Sequence, residues 1–358
     1  MSDFFLELFS EEIPPNLQTN ATQKLFFDLN NFFEENNIKV KGSTNSFCTP
    51  NRIIINFSNI SKDVITKSEE IRGPSVDAKS VALEGFLKSH NIKKIQIKSK
   101  STEKGTFYFY KKPEKKLKTA DLLQENLPNI LDKINWNKSM KWGNNKMFWG
   151  RPLKSILAVF DEKKIEFNFH HLKASNCTFL DKDFEEKTKN FNNFKSYHAY
   201  FKSKKIILDQ VKRKNFIINE LNKVSKSNYL SVDLKENLID EITNIVEKPK
   251  IILCKFDKKF LNIPKEILII TMQNHQKYIP TFNQKKNLTN FFLVVSDSKD
   301  LKGYVKLGNE RVIEARLNDA EFFWNRNKSQ NLIKQLSDLK KMCSEDYISK
   351  RHLTHNQN

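Results

Sequence analysis

The chain has 358 residues, 62 of them Lys or Arg and 42 Asp or Glu, which gives a formal net charge of +20. A chain of this length is expected to form two or three domains with ordinary cores. No apolar run approaches the roughly 20 residues of a membrane span, and the four cysteines show no metal-ligand spacing. Composition therefore argues against a membrane protein and a disulfide scaffold. It favours a reduced, cytoplasmic protein with a polyanionic partner.

The first half of the chain alternates apolar runs of strand and helix period. Pro15 suits the first turn of a helix, because its missing N–H would be unpaired there. The predicted elements are a strand at 3–10, a helix at 15–36, a strand at 47–60, a helix at 81–88, strands at 92–97 and 106–111, and a helix at 119–134.

The second half is less regular at first, and residues 179–200 show no clear period. The predicted elements are a strand or short helix at 153–160, helices at 203–223 and 234–245, a strand at 250–256, a helix at 264–272, strands at 277–282 and 290–296, and helices after Gly308. This order predicts an α+β multidomain protein with mixed β-sheets and packed helices. The predicted domains are 1–160, 161–302 and 303–358, the last being mainly helical with an atypical tail from about 343.

Residues 303–324 are typical of a capped helix with one charge on its apolar side. Asn309 is the predicted N-cap, with Glu310 in the first turn. The predicted apolar stripe consists of Ile313, Leu317, Ala320 and Trp324, widened by Val312 and Phe323. Arg316 falls within this stripe. It is interpreted either as one half of a buried ion pair with Asp319 or as a phosphate ligand, and the ion pair is preferred.

Two further segments combine basic and aromatic residues. Residues 136–151 suit nucleic acid, since rings stack on bases and cations meet phosphates, but the packing of tryptophans at a junction is favoured. Residues 274–278 place His275 beside Lys277 and Tyr278. His275 is interpreted with equal weight as an RNA contact or as a helix-end residue.

No nucleotide-binding glycine loop, HExxH or GxSxG motif occurs in the sequence, and no nucleophile accompanies His275. A self-contained active site is therefore not predicted. No catalytic residue and no metal ligand is assigned to this chain.

A series of short motifs occurs in the order found in one protein family. The longest is LGNERVIEARLNDAEFFW at 307–324. The others are ELFSEEIP at 7–14, TPNR at 49–52, RGP at 72–74, MKWG at 140–143, RP at 151–152, VEKP at 246–249, FLNIP at 260–264 and MQNHQKY at 272–278. From residue 3 to about 340, the chain resembles the beta subunit of the bacterial two-subunit glycyl-tRNA synthetase.

The resemblance implies attachment of glycine to tRNA(Gly), with ATP and Mg²⁺ used by the complete enzyme. It places the active site on a separate alpha subunit, so no cofactor is expected on this chain. The implied partners are that subunit and tRNA(Gly), in an alpha2–beta2 assembly in the cytoplasm. The candidate tRNA-binding or interface residues are Arg52, Arg72, Lys141, Arg151, His275, Lys277, Arg311 and Arg316.

The chain departs from the family pattern in two places. The usual Gly-His-Arg-Phe signature is replaced by Asn-Cys-Thr-Phe-Leu at 176–180, so its role is not carried over. The pattern is expected to stop after about Met342, in a family whose chains are roughly twice as long. A truncated or frameshifted reading frame is therefore expected, with an incomplete helical domain similar to metal-dependent phosphohydrolases (HD-like) and no anticodon-binding domain. The rival hypothesis is a stand-alone nucleic-acid-binding or scaffold remnant.

Overall fold

The computed structural model describes residues 2–66, 69–102, 105–112, 114–180, 187–298 and 300–329. The chain divides into two units, one ending at Asp209 and the other beginning at Gln210. These units do not coincide with the three predicted domains, whose boundaries stay a prediction. The predicted tail from about 343 lies outside the described residues.

Eight helices and eighteen strands are found in the described part of the chain. The helices are α1 (Pro15–Glu35), α2 (Ser80–Ser89), α3 (Thr119–Asp132), α4 (Phe194–Ser203), α5 (Gln210–Ser227), α6 (Glu236–Thr243), α7 (Lys265–Ile270) and α8 (Tyr304–Ser329). Short 3₁₀ turns occur at Lys94–Gln96 and Lys258–Asn262, and a π-helical turn at Thr271–His275.

The strands of the first unit are β1 (Ser2–Ser10), β2 (Thr44–Cys48), β3 (Arg52–Ile60), β4 (Asp63–Thr66), β5 (Glu69–Ser75), β6 (Ile97–Thr102), β7 (Gly105–Lys112), β8 (Lys115–Lys118), β9 (Leu153–Phe160), β10 (Lys163–Lys164), β11 (Asn168–Phe169), β12 (Leu172–Lys173), β13 (Cys177–Phe179) and β14 (Thr188–Asn190). Those of the second unit are β15 (Ser231–Val232), β16 (Lys250–Lys255), β17 (Ile279–Phe282) and β18 (Leu288–Ser296).

The main sheet of the first unit has the order β10-β9-β1-β3-β2, and its neighbouring strands are antiparallel. Leu6 of β1 lies opposite Ile55 of β3 and Ala158 of β9. Helices α1 and α3 pack on this face, whereas α4 packs on the other face against Phe5 and Leu157. Because both faces are covered, β1 is buried along almost its whole length.

A smaller three-stranded antiparallel sheet, ordered β5-β7-β6, also belongs to the first unit. Helix α2 lies beside β5, and a Cβ on Gly73 would meet the Phe86 ring of α2 at 2.9 Å. None of the described side chains from 70 to 118 is fully buried. This sheet therefore keeps its aromatic residues half exposed.

The second unit is built on the antiparallel sheet β15-β17-β18-β16. Alternate residues face opposite sides: Cys254 and Phe292 pack beneath α7 and α8, and Leu293 packs against α5 and α6. Ile313 and Leu317 of α8 are fully buried in the first of these cores. The two covered faces explain why β16 and β18 are apolar on both sides.

Helix α8 begins at Tyr304, so the prediction of Asn309 as its N-cap is wrong. The cap is Asp300, whose carboxylate accepts hydrogen bonds from the Val305 and Lys306 amides at 3.0 and 2.8 Å. The Asp300 carboxylate lies before the start of α8 and outside residues 303–324, the segment from which the cap was predicted. Asn309 instead lies one turn inside the helix.

The interpretation of Arg316 as a buried ion pair is also wrong. Among the described residues, Arg316 and Asp319 form no ion pair, and both are exposed. The buried stripe of α8 is narrow: Ile313 and Leu317 are buried, but Val312 and Phe323 are 42% and 55% exposed. Arg316 lies beside this stripe rather than within it.

The α+β class is confirmed, and most strongly periodic elements lie where the sequence predicts them. The helix predicted at 203–223 is wrong at its start, because α4 ends at Ser203 and α5 begins at Gln210. Ile206 and Leu208 lie between these helices, buried against the α4 side of the main sheet. Among the described residues, no helix has the length and apolar character of a membrane span.

Candidate nucleic-acid interface

Arg52 is a core residue, which removes it from the predicted RNA-facing set. Its guanidinium is paired with the carboxylate of Glu7, and the two side chains are 1% and 0% exposed. The Tyr197 hydroxyl donates to the same carboxylate at 2.6 Å. The guanidinium carbon lies 4.6 Å from the Phe9 ring centroid and 4.4 Å from that of Phe201. Arg52 thus holds α4 against the main sheet.

The segment that departs from the family signature completes this cluster. Nη2 of Arg52 donates to the Phe179 carbonyl at 2.7 Å, and Nη1 donates to the Thr178 hydroxyl at 3.3 Å. A buried guanidinium needs such acceptors, because its donors would otherwise lose their hydration uncompensated. In this chain, residues 178 and 179 therefore stabilise the core by accepting hydrogen bonds from the buried Arg52 guanidinium.

The tryptophans of the 136–151 segment also pack inside the first unit. Trp136 and Trp149 are buried with ring centroids 5.0 Å apart. Lys141 is exposed, and its Nζ lies 4.4 Å from the ring centroid of Phe148, which is 60% exposed. The tryptophans fill the core, as the packing interpretation predicts, and Lys141 with Phe148 forms the outer part of the segment.

Arg151 is half-buried beside a cleft of about 490 Å³. Its Nη1 donates to the Gly150 carbonyl at 3.0 Å. Glu11, Glu12 and Lys154 also line the cleft. Because two carboxylates accompany the two cations, the cleft lacks the excess positive charge of a phosphate site.

His275 and Lys277 lie at the end of the π-helical turn, near a second cleft of about 340 Å³. Lys277 is half-buried, and its Nζ lies 2.8 Å from the Glu241 carboxylate and 3.1 Å from the Asn274 carbonyl. His275 is exposed. Of the two, His275 is therefore the better placed to meet a ligand in solution.

Arg311 and Arg316 lie on exposed parts of α8. Within the described part of the chain, neither forms an ion pair with a carboxylate. Both guanidiniums are thus accessible, but no aromatic ring contact accompanies them in that part.

Arg72 lies on the densest group of cations and rings, a surface we call the Phe107 face. Residues 107, 109 and 111 of β7 share one side of the small sheet, because successive residues of a strand alternate. Arg72 and Lys98 lie opposite Phe109, and Lys100 lies opposite Phe107. The described residues of this face are Glu70, Arg72, Lys98, Lys100, Phe107, Phe109 and Lys111.

Ring contacts join four of these side chains in two pairs. The Arg72 guanidinium carbon is 3.6 Å from the Phe107 ring centroid, and Lys100 Nζ is 5.6 Å from that of Phe109. Of the residues on this surface, only Arg72 is among the eight candidates. The overlooked signal is the run Phe-Tyr-Phe-Tyr-Lys-Lys at 107–112, which overlaps the strand predicted at 106–111.

The four predicted residues of the first unit do not form one site. In the first unit, Arg52 is internal, while Arg72, Lys141 and Arg151 lie in separate settings. No group of three or more His, Cys, Asp or Glu among the described residues is placed to hold a metal ion. The arrangement suits contacts with a polyanion at several places on the surface.

The sequence profile of one family, described as glycyl-tRNA synthetase beta subunit, matches residues 4–349. The chain belongs to the glycyl-tRNA synthetase beta subunit family. The match extends past Met342, so the family pattern continues further than the sequence analysis predicts. It covers all of the ordered motifs, including 7–14, which begins in β1, and 307–324 in α8.

Curated relatives support this assignment. The glycine–tRNA ligase beta subunit of Rickettsia conorii is 35% identical over 340 residues, which cover 95% of this chain and 51% of the relative. Those of Rickettsia africae and Rickettsia felis are each 34% identical, with the same coverage. The chain therefore spans about half the length of these glycyl-tRNA synthetase beta subunits.

Proposed function

We propose that this chain acts as the beta subunit of an enzyme that attaches glycine to tRNA(Gly) with ATP. The observation that carries the proposal is the family match over residues 4–349, which covers most of both units. The net charge of +20 adds physical support, since it attracts a polyanion such as tRNA.

The proposed contribution of this chain is to bind tRNA and the alpha subunit. Chemistry takes place on the alpha subunit, where ATP and Mg²⁺ are used. The sequence agrees with this division, because it has neither a nucleotide-binding glycine loop nor a catalytic motif. The assembly would contain two copies of each subunit in the cytoplasm.

The proposal is tested by aminoacylation with purified alpha subunit, radiolabelled glycine, ATP, Mg²⁺ and tRNA. Reactions contain the alpha subunit alone, this chain alone, or both. An unrelated protein of similar positive charge replaces this chain in the control, because any polycation binds tRNA. We expect charging only when the alpha subunit and this chain are both present.

Co-purification with a tagged alpha subunit tests assembly separately from activity. Charging that is the same with the control protein would refute the proposal. Binding of tRNA without any effect on charging would also refute it, and would instead support an RNA-binding remnant of the subunit.

A further inference from the structure

We propose that the Phe107 face binds unpaired nucleotides of an RNA, with bases stacking on Phe109 and on the Arg72–Phe107 pair. The inference rests on the proposed function and extends it, because it names unpaired nucleotides as the part of an RNA that this surface binds. The geometry that carries it lies entirely within the small sheet β5-β7-β6.

The rings of the Phe107 face are partly exposed to solvent. Phe107 and Phe109 are only half-buried, and no described side chain from 70 to 118 is fully buried. Aromatic rings contribute most to stability when they are covered, so adjacent rings left on a surface mark a contact site. Among the described residues, neither Phe107 nor Phe109 belongs to a buried hydrophobic cluster.

The two sides of the sheet carry different neighbours around their rings. Tyr108 and Tyr110 alternate with the two phenylalanines, and Tyr110 lies opposite Ile71. Tyr110 also lies opposite Ile97, and Tyr108 lies opposite Ser99. The side with Tyr108 and Tyr110 therefore has apolar and hydroxyl neighbours, whereas the Phe107 face has cations around its rings.

The Phe107 face carries positive charge in excess. Among the described residues it contains four cations, Arg72, Lys98, Lys100 and Lys111, and one carboxylate, that of Glu70, which pairs with Lys100. Three cations of this described set remain in excess of the ion pair. Cations interleaved with rings suit a nucleic-acid strand, whose phosphates alternate with flat bases.

The spacing of the two phenylalanines suits bases that are not stacked on one another. Residues 107 and 109 are separated by about 7 Å along the strand, roughly twice the rise of about 3.4 Å per nucleotide in a stacked strand. The two rings therefore match bases that are spread apart. A duplex keeps its bases stacked on one another and presents only backbone and groove edges to such a surface.

The contact of Arg72 with Phe107 fits the same chemistry. At 3.6 Å from the ring centroid, the guanidinium carbon lies directly over the Phe107 ring. A guanidinium plane supports a stacked base and also donates to phosphate, so this pair offers a cationic stacking position beside the neutral Phe109 ring.

The test compares the affinity of the complete chain for a fluorescent uridine oligonucleotide of about ten nucleotides and for an RNA duplex of the same length. The double variant Phe107→Leu, Phe109→Leu removes both rings but keeps apolar bulk. We expect it to bind the oligonucleotide about tenfold more weakly.

The matched control is Tyr108→Leu, Tyr110→Leu, which makes the same kind of change in the same strand on the other side. We expect its oligonucleotide affinity to stay within about twofold of the unmodified chain, since stacking on the Phe107 face is retained. Circular dichroism checks that both variants are folded.

A second variant keeps the inference testable if the ring variants fail to fold. Lys98→Gln, Lys111→Gln changes two exposed side chains and removes no ring. We expect the slope of log affinity against log salt to fall by about 1.4, since each lost phosphate contact contributes about 0.7 for a single strand.

The inference is overturned if the phenylalanine and tyrosine variants lose the same oligonucleotide affinity, or if the unmodified chain binds the duplex as tightly as the oligonucleotide. It is also overturned if the phenylalanine variant loses binding to the alpha subunit while its RNA affinity is unchanged. That last result would assign the face to a protein partner. Failure of the proposed function looks different, because tRNA charging would then not depend on the unmodified chain, whatever the oligonucleotide affinities.

Discussion

The hydroxyl of Tyr278 donates a hydrogen bond of 2.6 Å to the side-chain oxygen of Asn309. Tyr278 ends the motif MQNHQKY and Asn309 lies in the motif LGNERV, 31 residues further along the chain. The Asn309 amide in turn donates to the Val305 carbonyl at 2.7 Å. Two motifs that identify the family are therefore joined directly where α8 lies against the core of the second unit.

Tyr278→Phe should reduce the free energy of unfolding by about 1 kcal/mol, because the Asn309 oxygen loses its donor. Burial raises the pKa of Tyr278 to about 12, so the hydroxyl remains a donor at neutral pH. Urea unfolding followed by circular dichroism measures the change. Tyr304→Phe is the control, because Tyr304 is 69% exposed. Equal stability of both variants would show that the bond contributes nothing.

Asp300→Ala should destabilise the second unit by about 1 kcal/mol, since two amides at the start of α8 lose their acceptor. Asp319→Ala, at an exposed position within the same helix, should change stability by less than about 0.5 kcal/mol. Thermal unfolding of the two variants checks the difference. A larger effect at Asp319 would contradict the assignment of Asp300 as the cap.

Arg52→Met should cost about 3–5 kcal/mol, because it leaves the Glu7 carboxylate buried without its cation. Arg311→Met changes an exposed arginine and should cost less than about 0.5 kcal/mol. Chemical unfolding of both variants measures the two costs. If Arg52→Met were as stable as the Arg311 variant, the buried pair would not be structural.

Gly150→Ala should destabilise the first unit by about 1–3 kcal/mol. A Cβ at this position would lie 2.4 Å from the Trp136 ring, too close for any side chain. Gly308→Ala is the matched control, since a Cβ there meets nothing within 4 Å and the position is inside α8. It should stabilise the protein by about 0.5–1 kcal/mol. Tryptophan fluorescence during unfolding follows both changes.

Cys254 should resist alkylation in the native protein. Its thiol is fully buried, and burial together with nearby Glu310 raises its pKa to about 12, so the reactive thiolate is depleted at neutral pH. Cys177 is half-buried and should react first of the two. Peptide mapping after iodoacetamide treatment distinguishes them. Faster modification of Cys254 than of Cys177 would contradict the packing beneath α8.

Elements with a strong period could be predicted because local sequence determines them. Examples are the apolar stretch of β1, the proline at the start of α1 and the alternation through β16, β17 and β18. Each of these conformational preferences depends on residues that are close in sequence. The segment 179–200 could not be divided into elements, since α4 is placed by the packing of Tyr197 and Phe201 against the main sheet.

The candidate interface was less predictable than the fold. The preference for arginines identified Arg72, which is exposed, but also Arg52, which is buried. The burial of Arg52 could not be predicted locally, because its carboxylate partner Glu7 lies 45 residues away in the sequence. The lysines and phenylalanines of the Phe107 face looked like ordinary strand residues. Only the register of β5, β6 and β7 brings them to one side.

The sequence by itself determined the family and the type of most elements, because ordered motifs and side-chain periods are properties of neighbouring residues. Only the tertiary structure decided which charged residues are inside and which face solvent. Arg52 is buried because α4 and the segment at 178–179 close over it, whereas Arg316 is exposed because the covered stripe of α8 is narrow. Burial depends on what packs against an element, and the elements that do so are far apart in sequence.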